Sequence, residues 1–190
     1  MKTPSGLKWL TVPVHYNLGW TIDHVQISAS QGDWRSIHRS KLIESLESAQ
    51  FFGDALALWE DGVSASETLL SRLNVRLIKL ICDYLKIRTP ILSSREFALS
   101  GVKTERLIQL FKKVEATTYV SGPAAKDYLD EGLFRQNGIR LEYKTYDYVP
   151  YPQLWGTFVG NVTVLDLIAN TGPSARDFLK SNTPNQVVVE

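Results

Sequence analysis

The order of apolar and polar positions in the first half of the chain predicts two short strands followed by two helices. Residues 9–14 are rich in β-branched and aromatic side chains, and residues 22–27 alternate in polarity, so both segments are predicted strands. A helix is expected from Trp34 to about Gln50, with residues 30–33 offering its N-cap. A capping-box pattern begins the longest predicted helix, which runs from Ser64 to about Leu85.

The second half of the chain alternates predicted helices and short strands. The predicted elements are a strand at 89–92, a helix at 103–114, a strand at 117–120, a short helix at 124–129, a strand at 139–143, a helix at 163–169 and a helix at 173–179. Such alternation favours a single α/β domain over residues 1–180, with a mixed, partly parallel sheet and flanking helices. Residues 181–190 are expected to form a flexible tail.

The composition is that of an ordinary globular protein. The 190 residues are 44% apolar and 22% charged with a formal net charge of +1, so no nucleic-acid partner is predicted. Cys82 is the single cysteine, which fits the cytoplasm, and its place on an apolar helix predicts an inert core residue. The first residues lack the apolar run of a signal peptide, and no stretch reaches the roughly 18 apolar residues of a membrane span.

One candidate binding site follows the strand predicted at 117–120. Ser121 and Gly122 lie where a strand passes into a helix, and backbone N–H groups in such places bind phosphate or carboxylate. Gly122 would let the ligand approach the backbone, and Lys126 would add positive charge. Asp127 would act together with Lys126, or the two would form a solvated pair. The alternative for the whole segment is a tight turn with Pro123 at the first helical position.

His38 and Asp166 are the candidates for acid–base chemistry. Histidine is the usual base for activating an amine or a hydroxyl, and the alternative is a partly buried histidine at a packing contact. Asp166 and Asn170 are four residues apart on an apolar helix, so they share a face on which Asp166 could hold an amino group or act as a base. The alternative is that both residues only cap that helix. The three histidines show no metal-ligand spacing, so no metal site is predicted.

Aromatic side chains are concentrated between positions 143 and 155. Their flat apolar faces and polar edges suit a sugar ring or a nucleobase. The alternative is a loop whose aromatic residues cover the core. The segment contains Tyr143, Tyr146, Asp147, Tyr148, Tyr151, Gln153 and Trp155.

Six runs of residues, taken in order, resemble the WbqC-like family of bacterial surface-polysaccharide biosynthesis proteins. They are residues 9–14 (WLTVPV), Trp34-Arg35 with His38, residues 80–87 (LICDYLKI), residues 119–123 (YVSGP) with 126–129 (KDYL), residues 151–156 (YPQLWG) and residues 165–173 (LDLIANTGP). The Gln-Pro segment with which the family usually begins is missing before Trp9. The chain therefore resembles a copy that has lost this segment.

The resemblance implies a transferase of lipopolysaccharide O-antigen assembly, which moves an amino-acid or acyl group onto an amino sugar. The implied partners are small molecules, either a sugar nucleotide or an activated amino-acid or acyl donor, and the sequence identifies no cofactor. His38 or Asp166 would be the base, and residues 121–127 would hold the donor. The sugar site would be lined by Tyr151, Gln153, Trp155 and Asn170. The alternative is a non-catalytic binding or scaffold protein, or an inactive truncated member of the family.

Overall fold

The computed structural model describes residues 1–28 and 32–190, and their contacts form two compact units. Unit 1 comprises residues 1–88 and 149–180, and unit 2 comprises residues 89–148 and 181–190. Each unit has its own cluster of buried apolar side chains. The single domain expected over residues 1–180 stays a prediction, and each unit is described by itself.

The helices and strands of the described residues are short, and most of them coincide with predicted elements. The α-helices are α1 (Trp34–Leu46), α2 (Phe52–Ser64), α3 (Leu70–Tyr84), α4 (Lys103–Lys113), α5 (Glu131–Gln136) and α6 (Val164–Thr171). The strands are β1 (Lys2–Thr3), β2 (Gly6–Leu7), β3 (Val14–His15), β4 (Gln26–Ile27), β5 (Thr118–Ser121), β6 (Arg140–Tyr143) and β7 (Gln186–Val189). Turns of 3₁₀ helix cover Ile22–His24, Ser94–Glu96, Pro123–Asp127 and Gly172–Leu179.

In unit 1, α2 packs against both α3 and α6, and two glycines permit the close contacts. A Cβ added to Gly62 would lie 2.2 Å from Leu77 Cδ2, which explains why a glycine stands inside a helix. Gly172 ends α6 with a φ of 53°, and a Cβ there would lie 2.5 Å from the ring of Phe51. These contacts fix α6 against the core and keep its third residue, Asp166, fully buried.

The first residues of unit 1 form two small hairpins. β1 pairs with β2, and β3 pairs with β4, both antiparallel. The strand predicted over residues 9–14 contributes only Val14 to β3, since Pro13 has no N–H with which to extend the ladder. The strand predicted over residues 22–27 contributes only Gln26 and Ile27, since a 3₁₀ turn occupies its beginning.

Unit 2 contains a mixed sheet with the order β5-β6-β7. β5 and β6 are parallel, with Ser121 opposite Tyr143, and β6 and β7 are antiparallel. α4 and α5 bury Phe111 and Phe134 against this sheet. The arrangement confirms the predicted α/β class with a mixed, partly parallel sheet and flanking helices. Residues 181–190, expected to be a flexible tail, instead contain β7, because Val187 and Val189 pair with β6.

Two other predicted elements differ from the structure. The capping box expected to start at Ser64 does not form, because Ser64 is the last residue of α2 and its hydroxyl donates a hydrogen bond to the Asp61 carbonyl. α2 was not predicted, so the predicted start of α3 at Ser64 is six residues too early. Residues 89–92 form no strand in the structure. At the start of α1, Asp33 is the N-cap, whereas the candidate Ser30 lies outside the described residues.

Candidate functional site

A fully buried carboxylate is the centre of the candidate site in unit 1. Asp166 has no exposed surface, and its Oδ1 accepts hydrogen bonds from Tyr151 Oη at 2.7 Å and from Gln153 Nε2 at 2.8 Å. Asn170, one helical turn later, donates to the Asp166 backbone carbonyl at 2.8 Å and lies 3.5 Å from Oδ1. The structure thus brings together four residues that the sequence marked as site candidates.

Lys2 joins this group, although the sequence analysis did not single it out. Its Nζ donates to Gln153 Oε1 at 2.9 Å, to the Gly156 carbonyl at 3.5 Å and to the Thr157 carbonyl at 2.5 Å. Lys2 is only 5% exposed, so these acceptors replace the water that an ammonium group requires. The local sequence does not mark Lys2 as a site residue, because its three acceptors lie more than 150 residues later in the chain. Lys2, Tyr151, Gln153, Asp166 and Asn170 are called the Asp166 cluster below.

The two oxygens of Asp166 have different surroundings. Oδ1 is held by Tyr151 and Gln153, whereas Oδ2 is buried and has no hydrogen-bond partner among the described residues. Burial, followed by the hydrogen bond to Asp166, raises the pKa of Tyr151, so this phenol stays protonated and remains a donor. Burial lowers the pKa of the Met1 amino group, an effect partly offset by the nearby Asp166. The cluster therefore contains one hydrogen-bonded carboxylate oxygen and one that is buried without a partner among the described residues.

Trp155 lies at the outer side of the cluster in an unusual backbone conformation. Its φ is 65°, which bulky residues rarely adopt, and its indole Nε1 donates to the Ser45 carbonyl at 2.7 Å. The side chain is still 40% exposed. The hydrogen bond to α1 therefore holds the indole in one orientation while leaving part of it open to solvent.

His38 is placed as a packing residue of α1. It is 5% exposed, and its ring lies 5.1 Å from the Trp34 ring and 6.5 Å from the Trp59 ring. Its Nε2 lies 3.1 Å from the Thr11 carbonyl, which only accepts, so Nε2 carries a hydrogen. Burial lowers the pKa of His38, which keeps the imidazole neutral. Among the described residues, no hydrogen bond joins His38 to the Asp166 cluster, and its role as a base stays a prediction.

The loop after β5 in unit 2 leads into a 3₁₀ turn with Pro123 at its first position, which is the alternative expected for this segment. Gly122 has an extended φ of −75°, and the five-residue 3₁₀ turn Pro123–Asp127 follows it. Lys126 Nζ donates to Gln186 Oε1 at 2.6 Å and lies 5.2 Å from the centre of the Tyr143 ring. Asp127 is exposed. Binding by Ser121, Gly122, Lys126 and Asp127 stays a prediction.

The aromatic residues between positions 143 and 155 divide between the two units. Tyr151 and Trp155 belong to unit 1, and the others lie in unit 2. Tyr143 is 1% exposed within the core of unit 2, as the alternative of a core-covering residue expected. Lys144 Nζ lies 6.0 Å from the Tyr146 ring and 5.9 Å from the Tyr148 ring. Asp147 accepts a hydrogen bond from the Thr183 N–H at 3.0 Å, which fixes the backbone ahead of β7.

Further chemistry was sought over the whole described chain. Within residues 1–28 and 32–190, no group of three or more His, Cys, Asp or Glu side chains could hold a metal ion. Cys82 is half-buried on α3. None of the helices in that part of the chain is both long enough and apolar enough to cross a membrane.

The fold and the cluster define an α/β protein with a hydrogen-bonded carboxylate in the core of its helical unit. The chain belongs to the WbqC-like protein family, whose sequence profile matches residues 1–178. It is 40% identical over 184 residues to "Uncharacterized protein Rv1507c" of Mycobacterium tuberculosis, an alignment that covers 95% of this chain and 79% of that protein. No solved structure matches the chain.

Proposed function

We propose that the chain is a transferase of bacterial surface-glycan assembly that moves an amino-acid or acyl group onto an amino sugar. The observation that carries the proposal is the Asp166 carboxylate, whose Oδ1 is held by two donors while the buried Oδ2 has no partner among the described residues. The resemblance of the chain to polysaccharide biosynthesis proteins supplies the substrate class by analogy. The single cysteine fits a reaction in the cytoplasm, where thiols stay reduced.

In the proposed reaction, the amine of the acceptor sugar attacks the carbonyl carbon of an activated donor. A C–N bond forms, the bond between the carbonyl and its leaving group breaks, and the leaving group departs with that electron pair. The amine must lose a proton, and Asp166 Oδ2 is the acceptor atom that the proposal assigns to it. Tyr151 and Gln153 hold the carboxylate in one orientation, so the proton is always received at the same place.

The acceptor must displace neighbouring side chains to reach Asp166, because this residue has no exposed surface. Binding of the acceptor should therefore change the environment of Tyr151 and Gln153. Anion binding by the loop from Ser121 to Asp127 of unit 2, where Lys126 is exposed in the 3₁₀ turn, is a separate prediction on which this reaction does not depend.

The same burial favours a second function, that of a non-catalytic binding or scaffold protein. A carboxylate that is satisfied at Oδ1 and closed to solvent also serves to fix a unique core arrangement. In that case the Asp166 cluster would position α6 and the residue 151–159 segment without meeting a substrate.

The test is product formation by the purified chain with amino sugars, sugar nucleotides and activated amino-acid or acyl donors. Asp166→Asn preserves the shape of the side chain and removes the base, so we expect loss of transfer with the melting temperature nearly retained. Asp83→Asn, an exposed aspartate of α3, is the matched control and should transfer like the parent chain. Transfer by Asp166→Asn at the parent rate would exclude Asp166 as the base. Binding of glycans with no transfer by the parent chain would instead favour the scaffold.

A further inference from the structure

Unit 1 has an open cavity of about 450 Å³ beside the Asp166 cluster. Small-molecule sites in proteins commonly have volumes of about 300–1,000 Å³, so this one is large enough for a single monosaccharide. The described residues that line it come from the β1–β2 hairpin and from the segment after Tyr151. They are Lys2, Thr3, Pro4, Gly6, Leu7, Trp155, Gly156, Thr157 and Val159.

Trp155 gives this cavity a fixed aromatic wall. Its positive φ costs conformational energy, and the hydrogen bond from Nε1 to the Ser45 carbonyl holds the strained residue in place. The following residue, Gly156, also has a positive φ of 71°, so the chain makes a sharp left-handed turn at the cavity wall. The indole remains 40% exposed, although burying it would be more favourable. A strained but exposed tryptophan in a cavity is the kind of backbone outlier that accompanies binding sites.

Among the described residues that line the cavity, none offers a cation that is available to a phosphate. Lys2 is its one ionisable lining residue, and its ammonium is already directed at three protein oxygens. An ammonium has three hydrogens, so no donor of Lys2 is left over. The remaining lining consists of apolar side chains, glycines and the hydroxyl groups of Thr3 and Thr157. This chemistry suits an uncharged ligand with one apolar face and a rim of hydroxyl groups.

We infer that the cavity binds the pyranose ring of a sugar, with the C–H face of the ring on the indole of Trp155 and its hydroxyl groups toward Thr157. The phosphates of a nucleotide donor do not bind in this cavity. The choice of a sugar as the ligand rests on the proposed function, whereas the exclusion of phosphate rests on Lys2 alone. A pyranose matches the wall because its axial hydrogens form a flat apolar face that packs on an aromatic ring.

The experiment is an NMR titration of the full 190-residue chain with methyl glycosides of glucose, galactose and their N-acetylamino forms, and with inorganic pyrophosphate. We expect at least one glycoside to bind with millimolar affinity, and pyrophosphate neither to bind in the cavity nor to compete. Trp155→Ala should weaken glycoside binding by about tenfold or more, which corresponds to the loss of one aromatic contact surface. Trp9→Ala, which removes a tryptophan that is 89% exposed and outside the cavity, should leave the affinity unchanged.

Since Trp155→Ala also removes the bond to Ser45, Thr157→Val serves as a second variant that keeps the backbone and the indole. It should weaken glycoside binding by about threefold to tenfold, which is the range for a lost hydrogen bond. The inference is wrong if no glycoside binds the parent chain, if both variants bind like the parent, or if pyrophosphate displaces the glycoside. Asp166→Asn separates this inference from the proposed function, because it should bind the glycoside normally while losing transfer. Normal transfer by Asp166→Asn would overturn the reaction and leave the sugar cavity standing.

Discussion

The Asp166 cluster of unit 1 and the Ser121–Asp127 loop of unit 2 contain similar polar side chains, but their surroundings are opposite. Asp166 is fully buried and Lys2 is 5% exposed, and each has several hydrogen-bond partners. In the loop, Lys126 is exposed and its side chain has one hydrogen bond, to Gln186. The residue types alone therefore do not distinguish a buried hydrogen-bond network from a solvent-exposed turn.

The difference matters because the strength of polar interactions depends on access to water. In a buried network, removing one partner leaves the others unsatisfied in a medium of low dielectric constant. At the surface, water replaces a lost partner at little cost. Substitutions in the cluster should thus have large effects on the free energy of unfolding, and substitutions in the loop small ones.

The largest expected effect belongs to Asp166→Ala. This change removes the acceptor of Tyr151 and Gln153, so it should lower the free energy of unfolding by about 2–4 kcal/mol. Urea unfolding of the variant and the parent chain measures the difference. Asp166→Asn keeps an oxygen acceptor and should lose clearly less. A change below about 0.5 kcal/mol for Asp166→Ala would show that the cluster is no more constrained than a surface site.

Lys2→Met is expected to have the next largest effect. It leaves the Gly156 and Thr157 carbonyls without their ammonium donor, at a cost of about 1–3 kcal/mol in the free energy of unfolding. Lys8→Met is the matched control, since Lys8 is exposed and should change stability by less than about 0.5 kcal/mol. Equal unfolding midpoints for the two variants would contradict a structural role for the Lys2 ammonium.

Part of the Asp166 cluster was predictable from the sequence, because helical periodicity places two of its residues on one face of a helix. Asp166 and Asn170 were recognised as sharing one face of a helix, and the structure confirms that helix as α6. Lys2 could not be found in this way, because its partner Gln153 lies 151 residues later in the chain. Contacts between distant segments leave no periodic pattern, so only the folded chain shows which polar residues meet.

Helix α2 was not predicted for a different physical reason. Gly53 and Gly62 lower its intrinsic helix propensity, so the segment did not match a helical pattern. In the structure Gly62 is required, since a larger residue would collide with Leu77 of α3. Tertiary packing therefore decides this element against its local preference. After Ser121–Gly122–Pro123, the predicted short helix is a 3₁₀ turn of five residues, a distinction that the sequence pattern does not reveal.

A pH-dependent effect should test whether His38 is buried in its neutral form. Burial lowers its pKa below the ordinary value of 6.5, so the unfolded chain binds a proton more readily than the folded chain. This contribution to stability is therefore present above about pH 6.5 and is lost as the pH falls toward the folded pKa. His38→Gln should flatten the acid side of the stability profile between about pH 5 and 6.5, as followed by urea unfolding. If His38→Gln kept the slope of the parent chain, a neutral, buried His38 would be excluded.

The smallest expected change in the free energy of unfolding is that of Gly122→Ala in the Ser121–Asp127 loop. Gly122 has an extended backbone, and an added Cβ would lie 3.7 Å from Tyr146 Oη, which is an ordinary contact. The variant should therefore unfold within about 0.5 kcal/mol of the parent chain, in urea titrations under identical conditions. Gly172→Ala provides the contrast for two reasons. Its Cβ would lie 2.5 Å from the Phe51 ring, and residue 172 has a positive φ that alanine rarely adopts. If Gly122→Ala were as destabilising as Gly172→Ala, the loop would be as constrained as the core of unit 1. The proposed difference in tolerance between the loop and the Asp166 cluster would then be wrong.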